Sequence, residues 1–258
     1  MSPDASPSPN APSTDARIGR GASARGPNND GGLRAIIFEW DSTVGRSVER
    51  ISSAFSEVSA RLLGEAFPTT EAEHALLVQL GEQQAFQLLT DDPTTLVRLL
   101  DTFRHTYAEL MEQDPPVDID AVRDLLAAIA ISGVPIGILS TGDRGRLELE
   151  AERYGIGSHV TYLFTGESVQ TRAPNPLALQ SLLLTMEADP QDTIHVAGTV
   201  NELIAGRAAG LHTILLQDGG AAAEAASEDP DEIIRSLAAL ADRLLLVLPD
   251  PSDASSSR

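Results

Sequence analysis

Short apolar runs recur along the chain, and longer stretches with helical periodicity separate them. The runs are Ala35 to Phe38, Val134 to Leu139, Val160 to Phe164, Thr193 to Ala197 and Thr213 to Leu216. Each segment between the last four runs is long enough for one crossover helix. Alternation of buried strands with single helices is typical of βαβ units. The pattern therefore predicts an α/β fold built on a Rossmann-like parallel sheet flanked by helices.

The gap between the first and second runs is much longer and has a helical pattern. Its apolar residues recur at alternating steps of three and four in two sets, which are Val48, Ile51, Phe55, Val58 and Leu62, and Leu96, Leu100, Phe103, Tyr107 and Leu110. Each set lines one face of a helix. We therefore predict a small all-helical cap over residues 46–116, inserted after the first strand. Ligands of open α/β sheets bind at the carboxyl ends of the strands, and the cap is expected to cover that edge.

The cap divides the predicted α/β core into two segments, residues 33–45 and 117–247. Residues 1–32 are rich in Pro, Ser, Gly, Asn and Ala and contain no large apolar cluster. Such a composition predicts a disordered tail, and residues 248–258 are interpreted in the same way. The apolar segment that begins at Glu232 follows an acidic, low-complexity connector. We expect this segment to form one last helix that packs on the sheet.

The amino-acid composition limits the classes of molecule that the chain is expected to bind. The 258 residues include 38 acidic side chains and 18 basic ones, all of them arginines, and the formal net charge is −20. Because an acidic surface repels phosphate backbones and anionic lipids, we expect neither nucleic acid nor a membrane as a partner. The absence of cysteine excludes disulfides, thiolate metal ligands and a cysteine nucleophile. No segment resembles a signal peptide or a membrane span, which predicts a cytoplasmic protein.

Candidate chemistry lies where the predicted strands end. Glu39 and Asp41 follow the first apolar run with one residue between them, in the stretch IIFEWDSTVG. Ser140 and Thr141 follow the second run, and Glu202 lies shortly after the fourth. Because the carboxyl ends of parallel strands share one edge of a sheet, we expect these side chains to lie together. The five histidines are scattered without ligand spacing and are interpreted as structural.

The order of these motifs resembles that of the haloacid dehalogenase superfamily. In that superfamily a first strand precedes D-x-D-x-[TV], a helical insert follows, and a second strand ends in Ser or Thr. The motifs K-P-x-P and G-D-x-x-x-D complete the set. The corresponding segments here are EWDST, ILST, TRAPNP and AGTVNEL. The chain most resembles members with a small helical cap, of the phosphoglycolate phosphatase and β-phosphoglucomutase type.

This resemblance implies phosphoryl transfer through an aspartyl-phosphate, with Mg²⁺ offsetting the charge and a lysine holding the phosphate. Glu39 stands where the nucleophilic aspartate is expected, and Asp41 matches the general acid and base, so these two are the candidate catalytic residues. The candidate phosphate-binding residues are Ser140, Thr141 and Arg172. The candidate ligands of a weakened Mg²⁺ site are Glu39, Asp41 and Glu202.

Several positions depart from the pattern of the superfamily. The extra methylene of Glu39 displaces its carboxylate by about 1.5 Å, and a misplacement of about 1 Å can cost roughly 10²-fold in rate. Ala173 stands in place of the lysine, and no other segment supplies one because the chain contains none. Gly198 replaces the first aspartate of the fourth motif, and Glu202 replaces the second. Together these departures predict that the ordinary reaction is impaired.

Two functions follow from these motifs. The first is a catalytically impaired member of the superfamily that binds a small phosphorylated metabolite or a protein partner. The second is an active Mg²⁺-dependent phosphatase of small phosphometabolites, in which Asp41 acts as acid and base. Carbon–halogen cleavage is disfavoured, because dehalogenases of the superfamily usually lack the second aspartate, which is present here as Asp41. The sequence leaves the substrate and the oligomeric state open.

Overall fold

The computed structural model describes residues 33–113, 118–166, 175–217 and 230–249, so both predicted tails lie almost entirely outside the described residues. Within these ranges the chain forms a six-stranded sheet in the order β3-β2-β1-β4-β5-β6, and every paired strand is parallel. The strands are β1 Ala35–Glu39, β2 Ile136–Leu139, β3 Tyr162–Phe164, β4 Thr193–Ala197, β5 His212–Leu216 and β6 Glu232–Ile234. The strand order reverses between β1 and β4, which is the position where sheets of this kind bind ligands.

The middle of the sheet is formed by β1, all of whose residues are buried. Ile36 pairs with Ile136 of β2 on one side and with Ile194 of β4 on the other. A parallel strand that is covered on both faces is apolar along its whole length rather than alternating. This explains why the apolar runs located the first five strands, and the predicted α/β class with a Rossmann-like parallel sheet is confirmed.

Helices flank the sheet and form the insert after β1. The insert contains α1 Val48–Leu63, α2 Glu71–Leu80, α3 Glu82–Leu89 and α4 Pro93–Gln113, which together are called the cap below. The remaining helices are α5 Ile119–Ser132, α6 Arg144–Arg153, α7 Leu177–Met186, α8 Val200–Ala208 and α9 Leu237–Leu245. In the part of the chain that the structure covers, no helix combines the length and hydrophobicity that a membrane crossing requires.

The segment that begins at Glu232 does not form one continuous helix. Its first residues form β6, which pairs with β5 through Ile233 and Leu215. Helix α9 begins only after Ser236, whose side chain accepts a hydrogen bond from the Ala239 N–H at 3.2 Å. The prediction of a single helix was therefore wrong, because a serine N-cap separates a short edge strand from the helix.

Aromatic side chains join the cap to the rest of the core. Phe55 of α1 stacks on Phe86 of α3 with ring centroids 3.8 Å apart, and Phe103 of α4 meets both rings edge-on. The edge-on arrangement of Phe103 is one of the favoured geometries of aromatic pairs. The same apolar cluster includes Tyr107 of α4 and Phe38 of β1. The faces predicted for α1 and α4 therefore pack inward, and the cap is anchored to the sheet.

A π-helical turn, Trp40–Val44, connects β1 to the cap. It is closed by the Gly45 N–H, which donates to the Trp40 carbonyl oxygen at 2.8 Å. Single turns of π-helix are rare and occur frequently at functional sites. Here the turn follows the last residue of β1 directly, so it places Asp41 at the carboxyl edge of the sheet.

Candidate active site

The carboxyl edge of the sheet brings together the side chains that the strand ends predicted. Glu39 is the last residue of β1, Asp41 lies in the π turn, and Ser140 directly follows β2. Gly198 directly follows β4, and Glu202 is the third residue of α8. Glu39, Asp41 and Ser140 are all buried, with exposed fractions of 9%, 7% and 4%. These three side chains are therefore shielded from solvent, whereas Gly198 and Glu202 are half-buried.

Asp41 is bound on both carboxylate oxygens. Arg146 of α6 donates from Nη1 to Oδ1 at 2.8 Å and from Nη2 to Oδ2 at 3.2 Å. The Ser140 hydroxyl donates to Oδ2 at 2.5 Å, and the Ser47 hydroxyl donates to Oδ1. Burial by itself would raise the pKa of Asp41, but Arg146 and the two hydroxyls lower it below its ordinary value. Asp41 is therefore an ionised, fully hydrogen-bonded partner of an arginine.

Arg146 is the charged centre of the site. Its side chain is 2% exposed, and its guanidinium contacts three carboxyl groups, those of Asp41, Glu82 and Glu150. Burial would lower the pKa of Arg146, but the three acids raise it well above its ordinary value, so the guanidinium stays charged. A Cβ atom at Gly142 would lie 1.9 Å from Nη2. Glycine at this position is therefore what allows the guanidinium to pack against the loop after β2.

Glu150 extends this group of side chains into the cap. It lies one turn after Arg146 on α6, and its Oε1 atom accepts a hydrogen bond from Nη1 of that arginine at 2.8 Å. Trp40 of the π turn and Tyr107 of cap helix α4 also donate to its carboxylate. Burial raises the pKa values of both Glu150 and Glu82, while Arg146 opposes the shift. One guanidinium thus serves three buried acids, two of which have a weakened tendency to ionise.

Glu39 lies beside this network but outside the ion pair. Burial, followed by repulsion from Asp41, raises the pKa of Glu39 to about 8. His195 of β4 has its Nε2 atom 3.4 Å from the Glu39 Oε1 atom. Burial lowers the pKa of His195 to about 4. At neutral pH both groups are therefore uncharged, and the residue at the nucleophile position carries a proton.

This protonation predicts a pH-dependent effect of the substitution Glu39→Gln. The pKa of Glu39 is about 8 in the folded chain, against 4.5 for an unperturbed glutamate. The folded state therefore holds the proton more tightly, and the stability of the natural chain falls as the pH rises between these values. Glutamine has no proton to lose. The free energy of unfolding of the variant, relative to that of the natural chain, should therefore rise by at least about 2 kcal/mol from about pH 5 to about pH 8.

Urea unfolding of both proteins across this pH range measures the difference in free energy. The variant Glu39→Asp is the matched control, because it keeps a titrating carboxyl at the same position and should retain the downward slope. A difference between Glu39→Gln and the natural chain that is the same at every pH would show that Glu39 has an ordinary pKa.

The loop after β2 uses its backbone amides within the protein. The Gly142 N–H donates to the Ser140 hydroxyl oxygen at 2.9 Å. The Asp143 N–H donates at 3.0 Å to the Oε2 atom of Glu82, the first residue of cap helix α3. Loop amides of this kind can form anion-binding concavities. In this structure the Asp143 amide at the start of α6 is already hydrogen-bonded to a carboxyl group of the cap.

The two other predicted phosphate-binding residues have different positions. The Thr141 hydroxyl donates to the Val78 carbonyl oxygen of cap helix α2 at 2.7 Å, so its side chain ties the loop to the cap. Arg172 and Ala173 lie outside the described residues. Of the three predicted phosphate-binding residues, Ser140 and Thr141 are therefore described, and both hydroxyls donate hydrogen bonds within the protein.

Glu202 caps the N-terminus of α8. Its Oε2 atom accepts hydrogen bonds from the Gly198 and Thr199 N–H groups at 2.9 and 3.0 Å, and the Thr199 hydroxyl accepts from the Glu202 N–H at 3.3 Å. This reciprocal pattern is a capping box. The Ser42 hydroxyl donates to the same Oε2 atom at 2.8 Å. Burial, with repulsion from Glu39, raises the pKa of Glu202 to about 7.

Three residues of the site were absent from the sequence-based prediction. They are Arg146, Glu82 and Glu150. The four-residue spacing of Arg146 and Glu150 places both on one face of a helix, and this local signal was available. The contacts of Arg146 with Glu82 and Asp41 join residues 64 and 105 positions apart, and no local pattern predicts them.

The sheet order, the inserted cap and the carboxylates at the strand ends define a capped Rossmann-like α/β protein with an acidic site at the switch point. Residues 36–216 match the family described as haloacid dehalogenase-like hydrolase. The chain belongs to this family, as the order of its motifs predicted.

Individual relatives agree with this assignment. The chain is 24% identical over 213 residues to the phosphoglycolate phosphatase of Yersinia pseudotuberculosis, which covers 81% of this chain and 91% of that protein. CbbY from Rhodobacter sphaeroides, solved in complex with phosphate, has a TM-score of 0.66 at 21% identity, covering 80% of this chain and 95% of its own. β-Phosphoglucomutase from Clostridium difficile has a TM-score of 0.67 at 13% identity, covering 88% and 100%. The predicted resemblance to small-cap members is confirmed.

The family implies Mg²⁺, but the residues present do not fit this ion. In the described ranges, no group of three or more His, Asp or Glu side chains is arranged to hold a metal. Asp41 is paired with a guanidinium, and Glu202 caps a helix. A Cβ atom at Gly198 would lie 2.3 Å from the Ser42 carbonyl oxygen, so there is no room for a carboxylate side chain there. Mg²⁺ demands near-ideal octahedral oxygen geometry, which these groups do not offer.

Proposed function

We propose that the chain is a catalytically impaired member of its family, which binds a small phosphorylated metabolite without hydrolysing it. The observation that carries this proposal is the ion pair of Asp41, whose two oxygens bind Arg146, Ser140 and Ser47. A general acid must hold a proton and then deliver it to the leaving group. An aspartate with a lowered pKa and no free lone pair towards a substrate is poorly suited to that task.

Two further features support impaired catalysis. Glu39 is protonated at neutral pH, and a neutral carboxyl group is a poor nucleophile. The chain contains no lysine, so the phosphate-holding ammonium group of the family has no replacement of its own kind. An arginine differs from a lysine in shape and hydration, and Arg172 is therefore an imperfect substitute.

The choice of ligand is supported by the relatives and by the loop after β2. One relative is a phosphoglycolate phosphatase, and the CbbY structure contains phosphate. Ser140 lies at the end of β2 with its hydroxyl in the site, and we propose that it contacts the phosphate of the ligand, together with Thr141 and Arg172. A protein partner is the second candidate for what the chain binds, whereas the strongly acidic composition disfavours nucleic acid and membranes.

The alternative function is an active Mg²⁺-dependent phosphatase with Asp41 as acid and base. What favours it is that Glu39, Asp41 and Ser140 meet at the carboxyl edge of the sheet, where open α/β proteins bind their ligands. In this alternative the Arg146 ion pair has to break, and Glu39 has to ionise or bind the metal.

Thermal unfolding with added ligands separates the two functions, because a ligand that binds only the folded state raises the melting temperature. We expect a set of small phosphate monoesters to include at least one that raises the Tm in the absence of metal. We expect about 10 mM MgCl₂ to raise the Tm no more than NaCl of equal ionic strength, since the net charge makes any salt stabilising.

The phosphate monoester is recovered after incubation and checked for hydrolysis by ³¹P NMR. Stabilisation without hydrolysis supports the proposal. An additional Tm increase that is specific to Mg²⁺, accompanied by release of inorganic phosphate, would establish the alternative.

A further inference from the structure

The cap places one carboxyl group inside the site. Glu82 is the first residue of α3, and its side chain is 1% exposed. Its Oε2 atom accepts the Asp143 N–H at 3.0 Å, and its Oε1 atom accepts Nε–H of Arg146. A single carboxyl group of the cap therefore binds both a backbone amide and a buried guanidinium of the core.

The donors that hold Glu82 are those that bind oxyanions in general. An arginine fork matches the paired oxygens of carboxylates and phosphates. The Asp143 N–H lies at the N-terminus of α6, where amide groups and the helix dipole favour negative charge. The Ser140 hydroxyl is next to them, since it bonds to the Asp41 carboxylate that Arg146 also contacts. The two donors that hold Glu82, the Arg146 guanidinium and the Asp143 N–H, define what we call the anion seat, and the Ser140 hydroxyl lies beside it.

We propose that the anion seat receives the phosphate of the ligand and that Glu82 is its resident occupant, which the phosphate must displace. This inference rests on the proposed function and adds the groups that hold the phosphate and the residue that competes for them. One guanidinium already serves three carboxyl groups here, so Glu82 and a phosphate group exclude one another.

Displacement of Glu82 is coupled to movement of the cap. Glu82 lies on α3, and the neighbouring helix α2 is tied to the same loop by the hydrogen bond from Thr141 to the Val78 carbonyl oxygen. A phosphate at the Asp143 amide therefore pushes the start of α3 away from the loop. The free energy of releasing Glu82 is subtracted from the affinity, so the natural chain binds phosphate more weakly than one without this carboxyl group.

The variant Glu82→Ala tests this proposal in the full-length chain. Its matched control is Glu112→Ala, which removes a carboxyl group of the same type from the exposed cap-to-core pair of Glu112 with Arg153. Calorimetric titration with inorganic phosphate measures affinity, and amide hydrogen exchange of residues 140–147 measures release of the loop. Relative to the natural chain, we expect Glu82→Ala to bind phosphate about tenfold more tightly and to exchange its Asp143 amide about tenfold faster. Glu112→Ala should change neither quantity.

The two readouts distinguish failure of this inference from failure of the proposed function. Unchanged exchange of the Asp143 amide in Glu82→Ala would overturn the occupant role, whatever the phosphate result. Faster exchange with no phosphate binding by either protein would support Glu82 as the occupant and contradict phosphate as the ligand. Should Glu82→Ala fail to fold, Glu82→Gln keeps the shape and removes the charge, and the same order of affinities is expected.

Discussion

Replacing Arg146 by methionine is expected to destabilise the chain by about 3–5 kcal/mol, because removal of one partner leaves buried charges without compensation. The Arg146 side chain is 2% exposed, and its guanidinium binds Asp41, Glu82 and Glu150, which are themselves buried. Methionine keeps most of the length of the side chain, so the loss reports on charge and hydrogen bonds rather than on packing. Without the arginine, the pKa values of these carboxyl groups rise in the folded state. The destabilisation should therefore be larger at about pH 8 than at about pH 5.

Chemical denaturation of the natural chain and three variants measures this effect. Arg153→Met is the matched control, since Arg153 is on the same helix and its pair with Glu112 is exposed, which predicts a change of less than about 1 kcal/mol. Arg146→Lys keeps the charge but loses the planar group that binds two oxygens at once. Its loss of stability should therefore lie between those of the two methionine variants. If Arg146→Met lost no more stability than Arg153→Met, the three carboxyl groups would not depend on the guanidinium.

The sheet was predictable from the sequence because its strands are buried on both faces. Such strands appear as uninterrupted apolar runs, and β1 to β5 coincide with them. The edge strand β6 contains a charged residue and is only three residues long, Glu232–Ile234, so hydrophobicity did not separate it from the helix behind it. The cap was predictable from a different signal, the helical periodicity of apolar residues, in which Phe55 and Phe103 mark the buried faces of two long helices.

The site was only partly predictable, because its electrostatics depend on contacts between distant segments. The positions of Glu39, Asp41 and Ser140 followed from the strand ends. The arginine that binds Asp41 did not, since it comes from a helix 105 residues away in the chain. Glu202 was interpreted as a metal ligand from its place in the motif. The pattern Thr199-x-x-Glu202 also has the form of a capping box, and that local signal describes the hydrogen bonds that this side chain makes.

The second large effect concerns the reaction itself. We expect the natural chain to release no inorganic phosphate from phosphate monoesters beyond the rate shown by Asp41→Asn. Loss of a working general acid and base alone typically lowers the rate by about 10²–10⁴-fold. Here Glu39, at the position of the nucleophile, is neutral as well. The comparison with Asp41→Asn is informative because asparagine keeps the shape of aspartate and cannot transfer the proton.

Measuring the rate at two pH values also distinguishes an active phosphatase from an impaired protein. The pKa of Glu39 is about 8, so raising the pH from about 7 to about 9 ionises this carboxyl group. A phosphatase that used Glu39 as nucleophile or as metal ligand would become faster over this range. If the chain is impaired as proposed, we expect no activity at either value, because Asp41 is bound to Arg146.

Phosphate release by the purified chain, with Mg²⁺ present and Asp41→Asn measured in parallel, therefore tests the central claim most directly. The account predicts equal rates for the two proteins at both pH values, with both proteins folded by their melting curves. A Mg²⁺-dependent rate in the natural chain that rises with pH and is abolished in Asp41→Asn would contradict it and establish an active phosphatase.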